Sequence, residues 1–274
     1  MNATLLIRQS LLAICLTVAV GCGFAQAQSS NYEPQVGQEG KDVVWVPTPQ
    51  VLVEKMLDMA KVTPQDFVID LGSGDGRTVI AAAKRGARAL GIEYNPDMVE
   101  LSKRNAAKEG VGEKAQFVKA DLFESDFSQA TVITMFLLPD INLRLRPRIL
   151  NLKPGTHIVS NSFTMGDWAA DETANITNGC TSWCTALHWI VPAKVEGTWQ
   201  LPQGALTLKQ EFQVVSGALK SGANSTPIAN GKLRGDQITF TASGAQYTGR
   251  VSGNAMQGSV QSGGSKSEWS ATRK

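Results

Sequence analysis

Cysteine, histidine, surplus charge and long apolar runs are all scarce in this chain, and each shortage removes a class of function. The 274 residues include four cysteines and two histidines. Only Cys180 and Cys184 lie beyond the N-terminal segment. A C-x3-C pair with no histidine or further cysteine beside it is a poor zinc site, so no metal is expected. The chain has 26 Lys and Arg against 24 Asp and Glu, a net charge of +2. That balance offers no basic stripe for nucleic acid and no general attraction to an anionic membrane. The longest apolar run, Leu11 to Val20, is too short to cross a bilayer. What remains is ordinary globular material, 42% hydrophobic and 18% charged, able to bury a core.

The N-terminus departs from that average. Arg8 is the only charge in residues 1–27, the apolar run follows it, and Ala25-Gln26-Ala27 supplies the small-x-small pattern of a cleavage site. These features predict a signal peptide over residues 1–27, cleavage after Ala27, and a periplasmic or extracellular mature protein with no transmembrane segment. Ala19-Val20-Gly21-Cys22 is a weaker, lipobox-like alternative that would anchor a lipoprotein through Cys22. In an oxidising compartment Cys180 and Cys184 are expected to close a short loop with one disulfide, two free thiols being the alternative.

Residues 28–46 are polar and read as an extended lead-in. From residue 47 to residue 193 short buried-strand runs alternate with helical ones. The strand runs are Phe67 to Ile69, Ala89 to Ile92, Ala115 to Val118, Thr131 to Phe136 and Thr156 to Ser160, with Ala186 to Val191 as a last, edge strand. The helical runs are Val51 to Ala60, Thr78 to Arg85, a segment opened by Asn95-Pro96, and Ile141 to Leu152 interrupted at Pro147. Arg144, Arg146 and Arg148 read as a solvated helix face. His157 and His188 fall in strand runs and read as satisfied, buried histidines rather than bases. This alternation predicts an α/β, Rossmann-like, mostly parallel sheet with helices on both faces. Residues 194–274 have no helical periodicity. Short alternating runs separated by turns such as Gly235-Asp236 and Gly253-Asn254 predict a small all-β antiparallel barrel or sandwich.

The stretch Asp70-Leu-Gly-Ser-Gly-Asp-Gly76 leaves the first strand of the α/β region. A glycine turn lets a ligand approach the backbone, and the helix after it offers free N–H groups. A dinucleotide site needs Gly-x-Gly-x-x-Gly. Here Gly72 and Gly74 are followed by Arg77 where the third glycine belongs, and Asp70 ends the strand. A carboxylate at that point suits a cationic ligand rather than a pyrophosphate.

This motif resembles motif I of the class I, seven-strand S-adenosylmethionine-dependent methyltransferases, and further elements follow in order. Glu93 ends the second strand, Asp121 follows the third, and Leu152-Lys-Pro-Gly155 precedes the fifth. Together with Trp45-Val-Pro-Thr-Pro49 and Phe136-Leu-Leu-Pro139, the pattern resembles the small methyltransferases related to mitochondrial protein-lysine methyltransferases. The likeness spans roughly residues 43–192. It implies a seven-stranded sheet and S-adenosylmethionine as cofactor. It implies that Asp70, Gly72, Ser73, Gly74 and Gly76 form the cofactor turn. Glu93, with Tyr94 and Asn95, would meet the ribose, and Asp121 with Leu122 the adenine. Thr48 would fold over the cofactor, although it could instead cap the helix that follows. Phe136, Leu137 and Pro139 would line the methyl-transfer site. No base is identified.

The favoured function is therefore methyl transfer to a protein lysine. The absence of an Asn/Asp-Pro-Pro-Tyr/Phe signature after the fourth strand argues against DNA adenine. The alternative is an exported, envelope-associated binding protein that keeps the fold with little or no turnover, since S-adenosylmethionine is made in the cytoplasm. In either case the β-module could dock another macromolecule.

Overall fold

A computed structural model describes Tyr32–Lys274; the expected signal peptide, Cys22 and the Ala27 cleavage point lie outside the described residues. The first half is built from α1 (Gln50–Met59), β1 (Phe67–Leu71), α2 (Arg77–Lys84), β2 (Arg88–Glu93), α3 (Pro96–Lys108), β3 (Ala115–Lys119), β4 (Val132–Met135), α4 (Pro139–Ile149), β5 (His157–Asn161), β6 (Glu172–Asn175) and β7 (Thr185–Ile190). The strands form one seven-stranded sheet in the order β3-β2-β1-β4-β5-β7-β6. All are parallel except β7, which runs against both β5 and β6.

Strand alternation divides the core into two layers. Val68, Ala89, Val132 and Val159 face α1, α2 and α3 through Leu52, Met56, Val79 and Val99. Ile69, Ile92, Ile133 and Ile158 face α4 through Ile141, Leu145 and Ile149. Burial on both faces is why these strands read as unbroken apolar runs rather than alternating ones.

Four sequence expectations change. The β7 segment is not an edge strand: β6 pairs along its outer side. Polar and mostly exposed, β6 carries no apolar pattern to reveal it. Helix α4 begins at Pro139 and continues through Pro147 to Ile149, although Pro147 has no N–H to give its ladder. Arg146 and Arg148 are not simply solvated. Arg146 binds the Met165 carbonyl and Asp167, and Arg148 binds the carbonyls of Phe123 and Ser125, so both tie loops to the helix. The lead-in is not extended throughout. Gly37 N–H donates to the Trp45 carbonyl at 2.8 Å and Trp45 N–H to that of Gln38 at 2.9 Å, closing a small hairpin.

The second half is nine antiparallel strands: β8 (Gly197–Leu201), β9 (Gly204–Glu211), β10 (Val214–Ser221), β11 (Asn224–Pro227), β12 (Ala229–Arg234), β13 (Gln237–Ala242), β14 (Ala245–Ser252), β15 (Ala255–Ser262) and β16 (Ser265–Arg273). Pairing runs from β10 through β12 to β16, on to β8 and β9, and back to β10, with β11 folded onto β10. The circuit is an eight-stranded barrel, and closure removes exposed edges. Its interior is filled by side chains. Phe240 and Tyr247 stack at 4.6 Å, and Trp269 meets both edge-on. Gly249 is required beneath that indole, because a Cβ there would lie 2.7 Å from Trp269 Cζ2.

The barrel joins the sheet at the amino end of β5 and the carboxyl end of β7. Ala193 N–H donates to the Gly235 carbonyl at 2.8 Å, the Lys232 ammonium lies 3.7 Å from Asp171, and Phe212 stacks on Trp168 at 5.9 Å. Nearby, His157 Nδ1 and His188 Nε2 share a 2.8 Å hydrogen bond between parallel rings. Burial holds both below the usual imidazole range, His188 at about 3. This pair belongs to the barrel-facing end of the sheet.

Candidate functional site

A cavity of ≈ 560 Å³ opens at the carboxyl ends of the parallel strands. It lies where the strand order reverses between β1 and β4, the usual ligand crevice of an open α/β sheet. Strand order then dictates what lines each side. Asp121 follows β3, Glu93 ends β2, Asp70 and the glycine turn end β1, Phe136 follows β4 and Phe163 follows β5.

Asp70 is 6% exposed, and its Oδ1 accepts the Thr134 hydroxyl at 2.7 Å. Burial pushes its carboxyl up to about 7; the Thr134 hydroxyl works against this, and the charges of Glu93 and Asp75 add to it. The turn beyond it is fixed from outside. The Ser102 hydroxyl of α3 donates to the Gly74 carbonyl at 2.9 Å, and the Asn105 amide to that of Asp75 at 3.0 Å. Gly74 has φ of +53°, and a Cβ there would lie 2.7 Å from the Trp45 indole nitrogen. Only glycine combines that backbone with that approach.

Glu93 uses one oxygen to accept from Gly74 N–H and the other from Asn95 N–H, both at 2.9 Å. The carboxylate is thereby aimed, and each oxygen keeps a lone pair for a hydroxyl donor. Asn95 also caps α3, accepting from Asp97 N–H at 2.9 Å. Asp121 accepts from Phe123 N–H and is ion-paired with Lys41 of the lead-in hairpin, which holds its carboxyl below the usual range. The Lys41 ammonium also sits 4.8 Å from the centre of the Tyr94 ring. Ser73 lines the cavity, but its hydroxyl is buried toward Gly91 of β2 and has no partner. Leu122, Ile92 and Met98 supply apolar wall.

Thr48 does not cap α1, whose N-cap is Pro49 with no side-chain cap. Its hydroxyl accepts from the Asn161 amide at 3.2 Å, and its carbonyl accepts from Arg77 at 3.0 Å. Arg77, where a dinucleotide site would have glycine, grips Asp75 with the rest of its guanidinium. It clamps the glycine turn to Val46-Pro47-Thr48.

At the other side, Phe136, Leu137 and Leu138 line the cavity, whereas Pro139 opens α4 and stands outside the lining. Leu137 is buried, and its Cδ2 would meet a Cβ on Gly72 at 3.1 Å. Phe163 and Trp183 complete this side, and Cys180 and Cys184 are disulfide-bonded with Cα atoms 5.8 Å apart. Sequence reading missed Arg77, Asn161, Phe163 and Trp183 as site residues. Of these only Arg77 carried a signal, its place inside the glycine motif. Among the described residues no cluster of His, Cys, Asp and Glu could hold a metal ion.

The arrangement fits a cationic nucleoside. Acids stand at the ends of three adjacent strands, and a glycine turn allows close approach. Those residues suit S-adenosylmethionine.

Comparison with known proteins agrees. Residues 70–172 match the ANTKMT methyltransferase domain. The protein-lysine N-methyltransferase of Saccharolobus islandicus is 44% identical over 140 residues, covering 50% of this chain and 87% of that protein. The adenine nucleotide translocase lysine N-methyltransferase of Mus musculus is 33% identical over 118 residues, covering 42% of this chain and only 51% of that protein. Among solved structures, an RNA methyltransferase from Salinibacter ruber in complex with S-adenosyl-L-homocysteine is 45% identical. It superposes with a TM-score of 0.52 over 55% of this chain and 96% of that one. The chain belongs to the class I S-adenosylmethionine-dependent methyltransferases, in the group related to the mitochondrial protein-lysine methyltransferases.

Proposed function

We propose that this protein transfers a methyl group from S-adenosylmethionine to the ε-amino group of a protein lysine. The observation that carries the reading is one cavity with the Asp70, Glu93 and Asp121 carboxylates on one side and an aromatic wall on the other. S-adenosylmethionine, when bound, supplies a methyl group already activated on a sulfonium sulfur. The protein's part is placement. Asp70 would hold the cation, Glu93 the ribose hydroxyls, and Asp121 the adenine amine once Lys41 yields it. Thr48, fastened by Asn161 and Arg77, would close over the cofactor. Phe136, Leu137 and Leu138 would keep water from the transfer end. A lysine arrives as an ammonium and must give up its proton before it can attack.

Two relatives named as lysine N-methyltransferases support this acceptor. The name of the Salinibacter relative favours RNA instead. Against RNA, the cations in the cavity wall, Lys41 and Arg77, are both paired with acids and give a phosphate backbone little to bind. The test is transfer of labelled methyl from S-adenosylmethionine to separated protein, RNA, lipid and small-molecule fractions. Label in protein, released as methyl-lysine on hydrolysis, is expected. Label in RNA alone would move the acceptor. No label in any fraction, with the cofactor still bound, would favour a binding protein without turnover.

We further propose export with cleavage after Ala27, supported by the pattern of residues 1–27 and by the Cys180–Cys184 bond. N-terminal sequencing of the fractionated protein tests it, and an intact Met1 in the cytoplasm would refute it. The barrel lends no side chain to the cavity. Its proposed role is to dock another macromolecule, tested by comparing co-purifying partners of the whole chain with and without surface substitutions on the barrel.

A further inference from the structure

Three aromatic rings meet at the acceptor side of the cavity. The Phe136 and Phe163 rings stack with centres 5.8 Å apart, and Trp183 leans on them at 5.7 and 5.3 Å. Phe136 and Phe163 are half-buried, but Trp183 leaves 43% of its surface in solvent. A single exposed ring needs no explanation, but this one borders the cavity and packs on two further rings that also line it. Trp183 also has φ of +56°. For a bulky side chain that is an uncommon and strained conformation, of the kind that gathers at ligand clamps. The constraint is visible: Trp183 directly precedes Cys184, whose disulfide to Cys180 closes the loop. This loop lies beyond residue 172, where the match to the methyltransferase domain ends.

We infer that the disulfide-held Trp183, with Phe136 and Phe163, is the acceptor subsite of this enzyme and takes an unbranched alkylammonium side chain. The inference rests on the lysine reading above and deepens it. An indole face attracts an ammonium group, and neighbouring phenyl rings accept the methylene stem. The rings touch one another, so no slot stands open between them for a flat base. A subsite for RNA would also need polar groups to read a base edge, and the trio supplies only ring faces and one indole N–H. The occupant favoured is therefore a lysine side chain entering across the exposed indole face. Trp183 acts as a specificity-determining residue, and the disulfide as its positioning device.

Two measurements test this, one of them independent of turnover. The first titrates 1-butylammonium into the S-adenosyl-L-homocysteine-loaded protein and follows the Trp183 indole N–H resonance, assigned by its loss in Trp183→Phe. A saturable shift is expected with butylammonium and not with butan-1-ol. No shift, or equal shifts with both, would overturn the inference even if the enzyme methylates lysine. The second measures methyl transfer to poly-L-lysine. Trp183→Ala and the double variant Cys180→Ser/Cys184→Ser are expected to raise KM at least tenfold, with S-adenosylmethionine affinity unchanged within twofold. Trp183→Phe should recover most of the loss. An unchanged KM in Trp183→Ala, or a matching loss of cofactor affinity, would overturn the subsite. Failure of the lysine reading looks different: wild-type protein that binds butylammonium at Trp183 yet transfers no label to poly-L-lysine.

Discussion

Cofactor affinity should depend on pH through Asp70. Its carboxyl is pushed up to about 7, mainly by burial. A bound cation favours the ionised form, so binding must release a proton wherever free Asp70 is protonated. Apparent affinity is then set by the ionised fraction. It should be near its plateau by pH 7.5, and one unit below the pKa it should have fallen about tenfold. The α-amino group of the cofactor titrates at roughly 7.7–8.0, so the window from pH 5.5 to 7.5 isolates Asp70. Thr134 adds a second handle. Its hydroxyl donates to Asp70 and favours the charged form. A hydrogen bond to a charge contributes about 1.5–3 kcal/mol, so Thr134→Val should move the midpoint up by about one pH unit or more. The assay is calorimetric titration of S-adenosylmethionine in buffers of different ionisation enthalpy, which counts the protons released. Asp70→Asn should bind weakly with no pH dependence. A flat wild-type affinity from pH 5.5 to 7.5 with no proton release would refute the reasoning. The linkage has a second face. A carboxyl raised from 3.8 to about 7 by folding stabilises the protein fully below the lower value. That contribution is lost as pH rises through the higher value, a cost of roughly 4 kcal/mol above it. Asp70→Asn should therefore raise the Tm of the cofactor-free protein at pH 8 while lowering cofactor affinity.

Other outcomes follow from single contacts. His188 is held down to about 3 by burial and by His157. A depressed histidine contributes stability that is present above about pH 6.5 and lost as pH falls. By pH 5 the loss should reach about 2 kcal/mol, and His188→Asn should abolish it, leaving in denaturant melts only the opposite Asp70 trend of stability rising as pH falls below 7. This trend opposes that of Asp70 in an overlapping window, so the wild-type curve should be flatter than that of either variant. Gly74→Ala forces a Cβ to within 2.7 Å of the Trp45 indole nitrogen at φ of +53°. It should destabilise by about 1–3 kcal/mol and weaken cofactor binding, read by thermal melts with and without ligand. Lys41→Ala frees Asp121 from its ion pair. Cofactor association should speed up in stopped-flow, and an unchanged rate would show that Lys41 does not compete for Asp121.

The cofactor half of the site was legible in the sequence because one short strand, one turn and the next strand carry it. Asp70, Gly72, Gly74 and Glu93 are near neighbours in the chain, and each type is demanded by local geometry. On the aromatic side only Phe136 and Leu137 were legible, because Phe163 and Trp183 come from two further connections that only the strand order brings to them. Trp183 looks like any loop tryptophan until its strained backbone and its exposed ring are seen together. Thr48 shows a different limit. Its place before a helix suggested a cap, but its hydroxyl is taken by Asn161, more than a hundred residues away. The edge strand β6 escaped notice for want of any apolar pattern. The antiparallel hairpins of the second half, by contrast, were readable from their turns, while the choice of barrel over sandwich came only with the closing pairs. Gly235-Asp236 and Gly253-Asn254 each join two strands with a two-residue connection, which settles hairpin pairing before any side chain is considered.

Separate hydrogen-bond and packing partners imply that the two halves of the cavity act independently. Asp70 ends β1, while Trp183 precedes β7, with β4 and β5 between them. The Trp183 ring leans back over those strands to within 5.7 Å of Phe136, which follows β4, so independence rests on separate contacts and not on distance. No hydrogen bond found at Asp70 reaches the aromatic trio; its partner is Thr134 on β4. The double variant Asp70→Asn/Trp183→Ala should therefore show the cofactor affinity of the first and the poly-L-lysine KM of the second. The interaction energy from the full cycle should stay within about 0.5 kcal/mol. A larger coupling would mean that cofactor and acceptor are read by one moving element. Thr48 is then the residue to examine, since its contact with Asn161 ties the cofactor strap to the carboxyl end of β5, just before Phe163.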